Sequence, residues 1–306
     1  MLEKENQTNI TNDSDSAEEK NVVEITVNDN NAEKFVEAKE KTKLNGWRVF
    51  WTWPRLLFAL RKAKKMSKKM TVDPNFYSEE YRYNWIKKIA KYCLFLTNIK
   101  IEVIDIENWL DRGVVLAPNH ESNFDPVFLF AINNFQKQQP LAFIAKQELW
   151  KSKLFSRFIK LVDAIPLDRE SSRSALDAFK AGKELITEYK RSLVVFPSGT
   201  RTGSNELGEW QGAALKVAQM AYAPVIPVTI IDSYKTFSHK GRLTVRVIFG
   251  KPFMPEKHMS IKADMLTQNV KKEVQKNMDK YLNMDPKTVK KVVEKPKPKK
   301  KKGLIY

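Results

Sequence analysis

From residue 99 onward, short apolar β-prone runs alternate with stretches whose apolar residues recur at helical spacing, and few folds accept that pattern. Lys100-Ile101-Glu102-Val103-Ile104 alternates like a strand, and Val114–Ala117 reads as a buried one. Leu141–Ala145, Ala164–Leu167, Leu193–Phe196, Val225–Ile231 and Leu243–Ile248 follow. Pro166 makes the fourth of these runs an edge or broken strand. Helices are predicted from Pro126, around Trp150–Ile159, from a Ser171 cap with Leu176, Phe179, Ile186 and Tyr189 on one face, and over 212–221. A last helix opens at Ser260, with Leu266, Val270, Val274, Met278 and Tyr281 in register. Strands alternating with helices give an α/β fold: a mostly parallel or mixed sheet flanked by helices.

The flanking segments have a different character. Residues 1–40 carry eleven acids and four lysines, net −7, which leaves +25 on residues 41–306 out of a total of +18. Residues 1–44 are too polar to form a core and read as a disordered acidic N-terminus. Residues 285–306 read as a basic low-complexity tail. The acidic start is no signal peptide. The single cysteine, Cys93, excludes an internal disulfide and fits a reducing cytosol. A basic body calls for an anionic partner: membrane lipid, phosphorylated substrates or nucleic acid.

Residues 45–98 point to lipid. Three tryptophans and two phenylalanines fall within residues 47–60, and six cations follow by Lys69. That run is too short to span a bilayer. Its aromatics suit the headgroup boundary and its lysines anionic lipid, as in a helix lying in the interface. A second helical stretch, with Trp85, Ile89, Tyr92 and Leu96 on one face, can pair with the first. The segment is expected to hold the chain on the cytoplasmic face of the cell membrane as a peripheral or monotopic anchor.

The strand Val114–Ala117 leads into Asn119-His120-Glu121-Ser122-Asn123-Phe124-Asp125, ahead of Pro126. A histidine and an aspartate therefore share a strand-to-helix turn, where open α/β sheets carry their chemistry. A carboxylate beside an imidazole fixes its tautomer and steadies the imidazolium formed when it takes a proton. Asp125 before Pro126 also has the form of a plain helix N-cap. Other strand exits supply cations: Lys146 after the third strand, Arg169 after the fourth, and Arg201 in Pro197-Ser198-Gly199-Thr200-Arg201. Gly199 permits close backbone approach, Thr200 offers a hydroxyl, and Arg201 a two-pronged grip on phosphate. If the sheet is parallel, all of these reach one edge, a constellation suited to a phosphate-bearing substrate whose hydroxyl must be deprotonated.

Four segments then resemble, in order, the boxes of the glycerolipid acyltransferases, the 1-acylglycerol-3-phosphate (lysophosphatidic acid) O-acyltransferase group. Asn119-His120 with Asp125 matches NHxxxxD, Ala164–Arg169 the second box, Phe196–Arg201 the FPEGTR box, and Pro224–Val228 the fourth. The resemblance implies acyl transfer from acyl-carrier protein or coenzyme A to the sn-2 hydroxyl of lysophosphatidate, giving phosphatidate in phospholipid biosynthesis. His120 would be the general base and Asp125 its orienting partner. Arg169, Gly199, Thr200, Arg201 and Lys146 would hold the phosphate. No cofactor, no metal and no specific nucleic acid are expected. Ser198 stands where the family carries glutamate, which bears on acceptor specificity. Other readings are a glycerol-3-phosphate or other lysophospholipid acyltransferase, and a non-catalytic basic lipid- or nucleic-acid-binding protein.

Overall fold

The computed structural model describes residues 46–134 and 140–284. The expected acidic N-terminus and the basic C-terminal tail lie outside the described residues. Two long helices come first, α1 (Gly46–Val72) and α2 (Glu79–Thr97). Ser78 caps α2, its hydroxyl accepting from the Tyr81 N–H. The α/β part follows as β1 (Ile99–Ile104), β2 (Val114–Pro118), α3 (Asp125–Ile132), β3 (Leu141–Lys146), α4 (Phe155–Ile159), β4 (Asp163–Leu167), α5 (Ser172–Thr187), β5 (Ser192–Val194), α6 (Lys216–Met220), β6 (Val225–Ile231), β7 (Leu243–Phe249), α7 (Pro255–His258) and α8 (Ala263–Leu282).

Among the described residues the strands form one sheet in the order β1-β7-β6-β2-β5-β3-β4. All neighbours run parallel except β6 and β7. Only residues 232–242 join that pair, too few for a crossover helix, so the chain turns back on itself. β4, the run containing Pro166, lies at the sheet's edge, where a missing N–H costs least. The exits of β2, β5, β3, β4 and β6 therefore share one edge of the sheet.

Alternation along each strand divides the core. Val115 and Ala117 join Leu193, Val217, Leu266, Val270 and Val274 on the α5, α6 and α8 face. Val114 and Leu116 join Phe128, Leu129, Ile226 and Val245 on the α3 face. The register expected for the last helix is the one observed: Leu266, Val270, Val274, Met278 and Tyr281 are all buried.

Five helix readings need correction, in whole or in part. The expected 150–159 helix is a 3-10 turn, Gln147–Trp150, followed by the shorter α4. Helix 212–221 contracts to α6. Ser260 caps nothing; Pro255 starts α7, and Lys262 precedes α8. On α5 the buried face is Ala178, Gly182 and Ile186, whereas Leu176 is exposed, as is Tyr189, which lies past the helix end. A Cβ on Gly182 would come within 2.9 Å of Leu193 Cδ2 and 3.0 Å of Val217 Cγ2. Close approach of helix and sheet therefore selects small residues for the inward face. On α2 the expected face turns inward except at Tyr92: Trp85 is buried, Ile89 and Leu96 are half-buried, and Tyr92 is exposed.

α1 turns Thr52, Ala59, Ala63, Met66 and Ser67 inward. Trp47 and Phe50 are each 69% exposed, and Trp51, Trp53 and Phe58 are exposed with them. No helix among the described residues is long and apolar enough to cross a membrane. Arg48 Nη1 donates to the Phe95 carbonyl at 2.7 Å, joining the start of α1 to the end of α2. β1 begins two residues after α2, and Ile99 pairs with Leu243, the first residue of β7. Because β7 is antiparallel to β6, that point lies at the edge where β6 ends. The aromatic end of α1 and the exits of the parallel strands thus belong to one side of the molecule.

Candidate active site

The turn after β2 is tied down by its own polar side chains. Asn119 Oδ1 accepts from the Ile230 N–H at 2.7 Å, and its Nδ2 donates to the Ile230 carbonyl at 2.8 Å. It thereby extends the β2–β6 contact past the end of the ladder. His120 Nδ1 meets Asp125 Oδ2 at 2.7 Å; the histidine side chain is 15% exposed and the aspartate fully buried. Phe196, at the exit of β5, stacks on the imidazole with ring centroids 4.1 Å apart and planes 26° from parallel. Asp125 does not act as a plain N-cap, a position Phe124 occupies. Its Oδ2 instead accepts the N–H groups of Glu121 at 2.9 Å and Ser122 at 3.0 Å. With Nδ1 committed to the carboxylate, Nε2 is the ring nitrogen left to take a proton.

The β5 exit loop folds over this turn. Thr202 N–H donates to the His120 carbonyl at 3.0 Å, and Gly203 N–H to the Glu121 carbonyl at 3.2 Å. Asn205 and Asp232 exchange two hydrogen bonds, of 3.0 and 2.8 Å, which fasten the loop to the β6 exit. Arg201 Nη1 reaches Asn123 Oδ1 at 2.5 Å, so its guanidinium lies against the histidine turn. Gly199 has φ +67°, a left-handed conformation that glycine adopts freely, and a Cβ there would be 3.9 Å from Arg169 Cζ. The guanidinium of Arg169 therefore lies beside the same loop. Thr200 is exposed.

Two expected residues are used differently. Ser198 is buried, and its hydroxyl donates to the Thr200 carbonyl at 2.8 Å, bracing the loop from within. Lys146 ends β3 and is exposed; its ammonium pairs with Glu148 at 3.5 Å and shares only the sheet edge with the histidine turn.

Sequence reasoning overlooked two participants. Ser233, fully buried, lies two residues past β6, and its Oγ is 2.5 Å from Asp125 Oδ1. Glu121, inside the histidine turn, accepts from the Ser233 N–H at 2.8 Å and the Tyr234 N–H at 3.3 Å. Burial, and then the charge of Asp125, outweigh these donors and push the Glu121 carboxyl up to about 8. Position alone was the available signal: Ser233 is a small polar residue just past the expected strand Val225–Ile231.

This arrangement can deprotonate an alcohol beside a loop flanked by two arginines. The profile of a family described as Acyltransferase matches residues 100–231, the stretch that supplies every one of these residues but Asp232, Ser233 and Tyr234. The chain is 31% identical over 220 residues to a probable 1-acyl-sn-glycerol-3-phosphate acyltransferase of Mycoplasma pneumoniae, covering 68% of this chain and 82% of that one. The chain belongs to the glycerolipid acyltransferase family. A second member, the probable 1-acyl-sn-glycerol-3-phosphate acyltransferase of Mycoplasma genitalium, is 30% identical and is covered over 85% of its length, with 72% of this chain. The family fold is seen in the crystal structure of the 1-acyl-sn-glycerophosphate (LPA) acyltransferase, PlsC, from Thermotoga maritima. That structure superposes with a TM-score of 0.60 at 20% identity, covering 78% of this chain and 95% of that one. Membership sets aside the reading of a non-catalytic basic protein: the chain is an acyltransferase.

Proposed function

We propose that this acyltransferase moves a fatty acyl group from a thioester to the sn-2 hydroxyl of 1-acylglycerol-3-phosphate, giving phosphatidate. The observation that carries the reading is the His120–Asp125 pair at 2.7 Å. His120 Nε2 takes the hydroxyl proton as the oxygen attacks the thioester carbonyl. The tetrahedral centre collapses with cleavage of the C–S bond, and the imidazolium returns its proton to the departing thiolate. Asp125 holds the ring's tautomer and offsets its transient positive charge. Phe196, stacked on the ring, limits its rotation.

Arg201, Arg169 and the backbone of Gly199 and Thr200 form the phosphate grip, and Lys146 adds positive charge at the sheet edge. Because Arg201 already lies against the histidine turn, the phosphate it holds keeps the neighbouring hydroxyl within reach of His120. Arg201→Ala is expected to raise the acceptor KM about tenfold or more, the worth of a charge-assisted hydrogen bond, with a smaller change in the donor KM. A rise confined to the thioester KM would place the grip elsewhere. With Ser198 turned into its own loop, the acceptor is recognised without the family's third-box carboxylate, which keeps other lysophospholipids in play as substrates. Competition between lysophosphatidate, glycerol 3-phosphate and other lysophospholipids tests the acceptor. Parallel assays with acyl-carrier-protein and coenzyme A thioesters, the two donor classes the reaction accommodates, identify the donor. No cofactor or metal takes part in the chemistry proposed.

In this reading residues 45–98 are the membrane-contacting unit ahead of the catalytic unit 99–284. The exposed stripe of α1 runs from Trp47, Phe50, Trp51 and Phe58 into Arg61, Lys64, Lys65 and Lys68. Aromatics entering the interface beside lysines at headgroup level would hold the enzyme peripherally on an anionic leaflet, with the active-site edge towards its lipid acceptor. The cytoplasmic leaflet is the one that fits the single free cysteine and the basic surface. Replacing Trp47, Phe50 and Trp51 together with alanine is expected to weaken binding to phosphatidylglycerol vesicles by at least about 100-fold, given about 1.5–3 kcal/mol per large side chain buried. Unchanged co-sedimentation would remove α1 from the membrane contact.

A further inference from the structure

We propose that Ser233 and Glu121 are positioning residues for the reaction: Ser233 directs its hydroxyl proton onto Asp125 Oδ1, and Glu121 holds Ser233 in that orientation. The proposal rests on His120 acting as the base, and it adds the β6 exit to the machinery. The two oxygens of Asp125 have different work. Oδ2 takes His120 Nδ1, the Glu121 N–H and the Ser122 N–H. Oδ1 has Ser233 Oγ at 2.5 Å. Ser233 has one hydroxyl proton and two carboxylates in reach, Asp125 Oδ1 at 2.5 Å and Glu121 Oε2 at 3.1 Å. The shorter contact takes the proton.

Glu121 then fixes where that hydroxyl can be. One of its oxygens receives the backbone N–H groups of Ser233 and Tyr234, the first turn after β6; the other receives Asn119 Nδ2 at 3.2 Å. Asn119 in turn holds both backbone groups of Ile230. The β6 exit is thus pinned to the β2 exit at Ile230, Ser233 and Tyr234. Ser233 and Asp125 are fully buried and Glu121 is 2% exposed, so a lost donor leaves a carboxylate oxygen unpaired. The carboxylate then gains freedom to rotate about Cβ–Cγ, and the Oδ2–Nδ1 alignment that sets the imidazole loosens with it.

The test compares wild type with Ser233→Ala, Ser233→Thr, Glu121→Gln and His120→Ala in full-length, membrane-associated enzyme, using lysophosphatidate and an acyl thioester and checking melting temperature. Ser233→Ala is expected to lower kcat about 10- to 100-fold, within the range set by a positioned base, with both KM values within about threefold of wild type. Ser233→Thr, which restores the hydroxyl, is expected to recover most of that loss. Glu121→Gln carries the test by itself if Ser233→Ala does not fold. Both Glu121 oxygens accept from N–H groups, so glutamine must turn its amide donor towards a donor at one end. A kcat loss with near-constant KM is expected there too. A folded Ser233→Ala or Glu121→Gln enzyme with kcat within about twofold of wild type overturns the proposal, as does a loss in Ser233→Ala that threonine leaves unrepaired. His120→Ala separates the two layers: if it stays active the proposed function fails, and if it is inactive while the Ser233 and Glu121 variants are normal, only the positioning role fails.

Discussion

Replacing His120 with alanine is expected to cut phosphatidate formation by about 10²–10⁴-fold, the usual contribution of a positioned general base. The loss should appear in kcat, with the acceptor KM little changed, because the proposed phosphate grip lies in the loops after β4 and β5 rather than on the ring. The fold should survive. The imidazole is partly exposed, and its Nδ1 meets Asp125, whose Oδ2 keeps the Glu121 and Ser122 N–H donors when the ring is removed. Initial rates with lysophosphatidate and an acyl thioester, at matched protein and an unchanged melting temperature, check it. A variant that retained more than about a tenth of the wild-type rate would remove His120 from the chemistry.

The largest expected effect on stability lies at the opposite edge of the sheet. Asp163 opens β4, and its carboxylate faces two buried guanidiniums, Arg191 Nε at 2.6 Å and Arg82 Nη1 at 3.7 Å. Tyr83 completes the cluster: its hydroxyl donates to the Leu141 carbonyl at 2.8 Å and lies 3.2 Å from Asp163. Arg191 also pairs with Glu79 at the start of α2, and Arg82 donates to the Leu161 carbonyl at 2.9 Å. This cluster joins the first turn of α2 to the starts of β3, β4 and β5. Asp163→Ala would leave two largely buried cations with one carboxylate between them. Breaking a buried ion pair on one side costs about 3–5 kcal/mol, so melting is expected to fall by roughly 10 °C. Thermal unfolding of wild type, Asp163→Ala and Asp163→Asn tests it, with the asparagine variant falling between because it retains an acceptor for Arg191. A melting point within about 2 °C of wild type for Asp163→Ala would mean that water and Glu79 already serve the two arginines.

The fold was legible where one interaction dominates. Val114–Ala117 is apolar throughout and Val225–Ile231 is so apart from Thr229, because both faces of an inner strand are covered, and both became inner strands. The last helix could be read residue by residue, since its inward face carries large apolar side chains at helical spacing. α5 was misread in part because amphipathicity was judged by large side chains. Its inward face is Ala178, Gly182 and Ile186, the two small residues letting helix and sheet approach, while Leu176 faces outward. On α1 the same rule exposes the tryptophans that make it a candidate membrane surface. The reversal at β7 was also hidden, since a strand's direction depends on the length and path of its connection rather than on its own residues.

Half of the candidate site was legible because half of it is local. His120 and Asp125 are five residues apart in one turn, so the backbone between them dictates their contact, and the loop arginines follow from parallel strands ending at a common edge. Ser233 is 108 residues from Asp125, and no spacing rule connects them. They meet because β6 lies beside β2, an adjacency that comes from packing the whole sheet. Glu121 drew no reading from the sequence, and Ser198 was noted only as a replacement for the family's glutamate that bears on acceptor specificity. Their true partners, the Ser233 N–H and the Thr200 carbonyl, emerge only once each loop has closed.

What the sequence determined by itself was therefore the set of local geometries: the strands, most helices, the base and its carboxylate, and the cations at strand exits. The tertiary structure decided which distant groups complete them, which helix faces point inward, and that the aromatic end of α1 shares an edge with the site. The reason is physical. Hydrogen-bond spacing and hydrophobic period act over a few residues, whereas burial and the pairing of buried polar groups depend on which strands become neighbours.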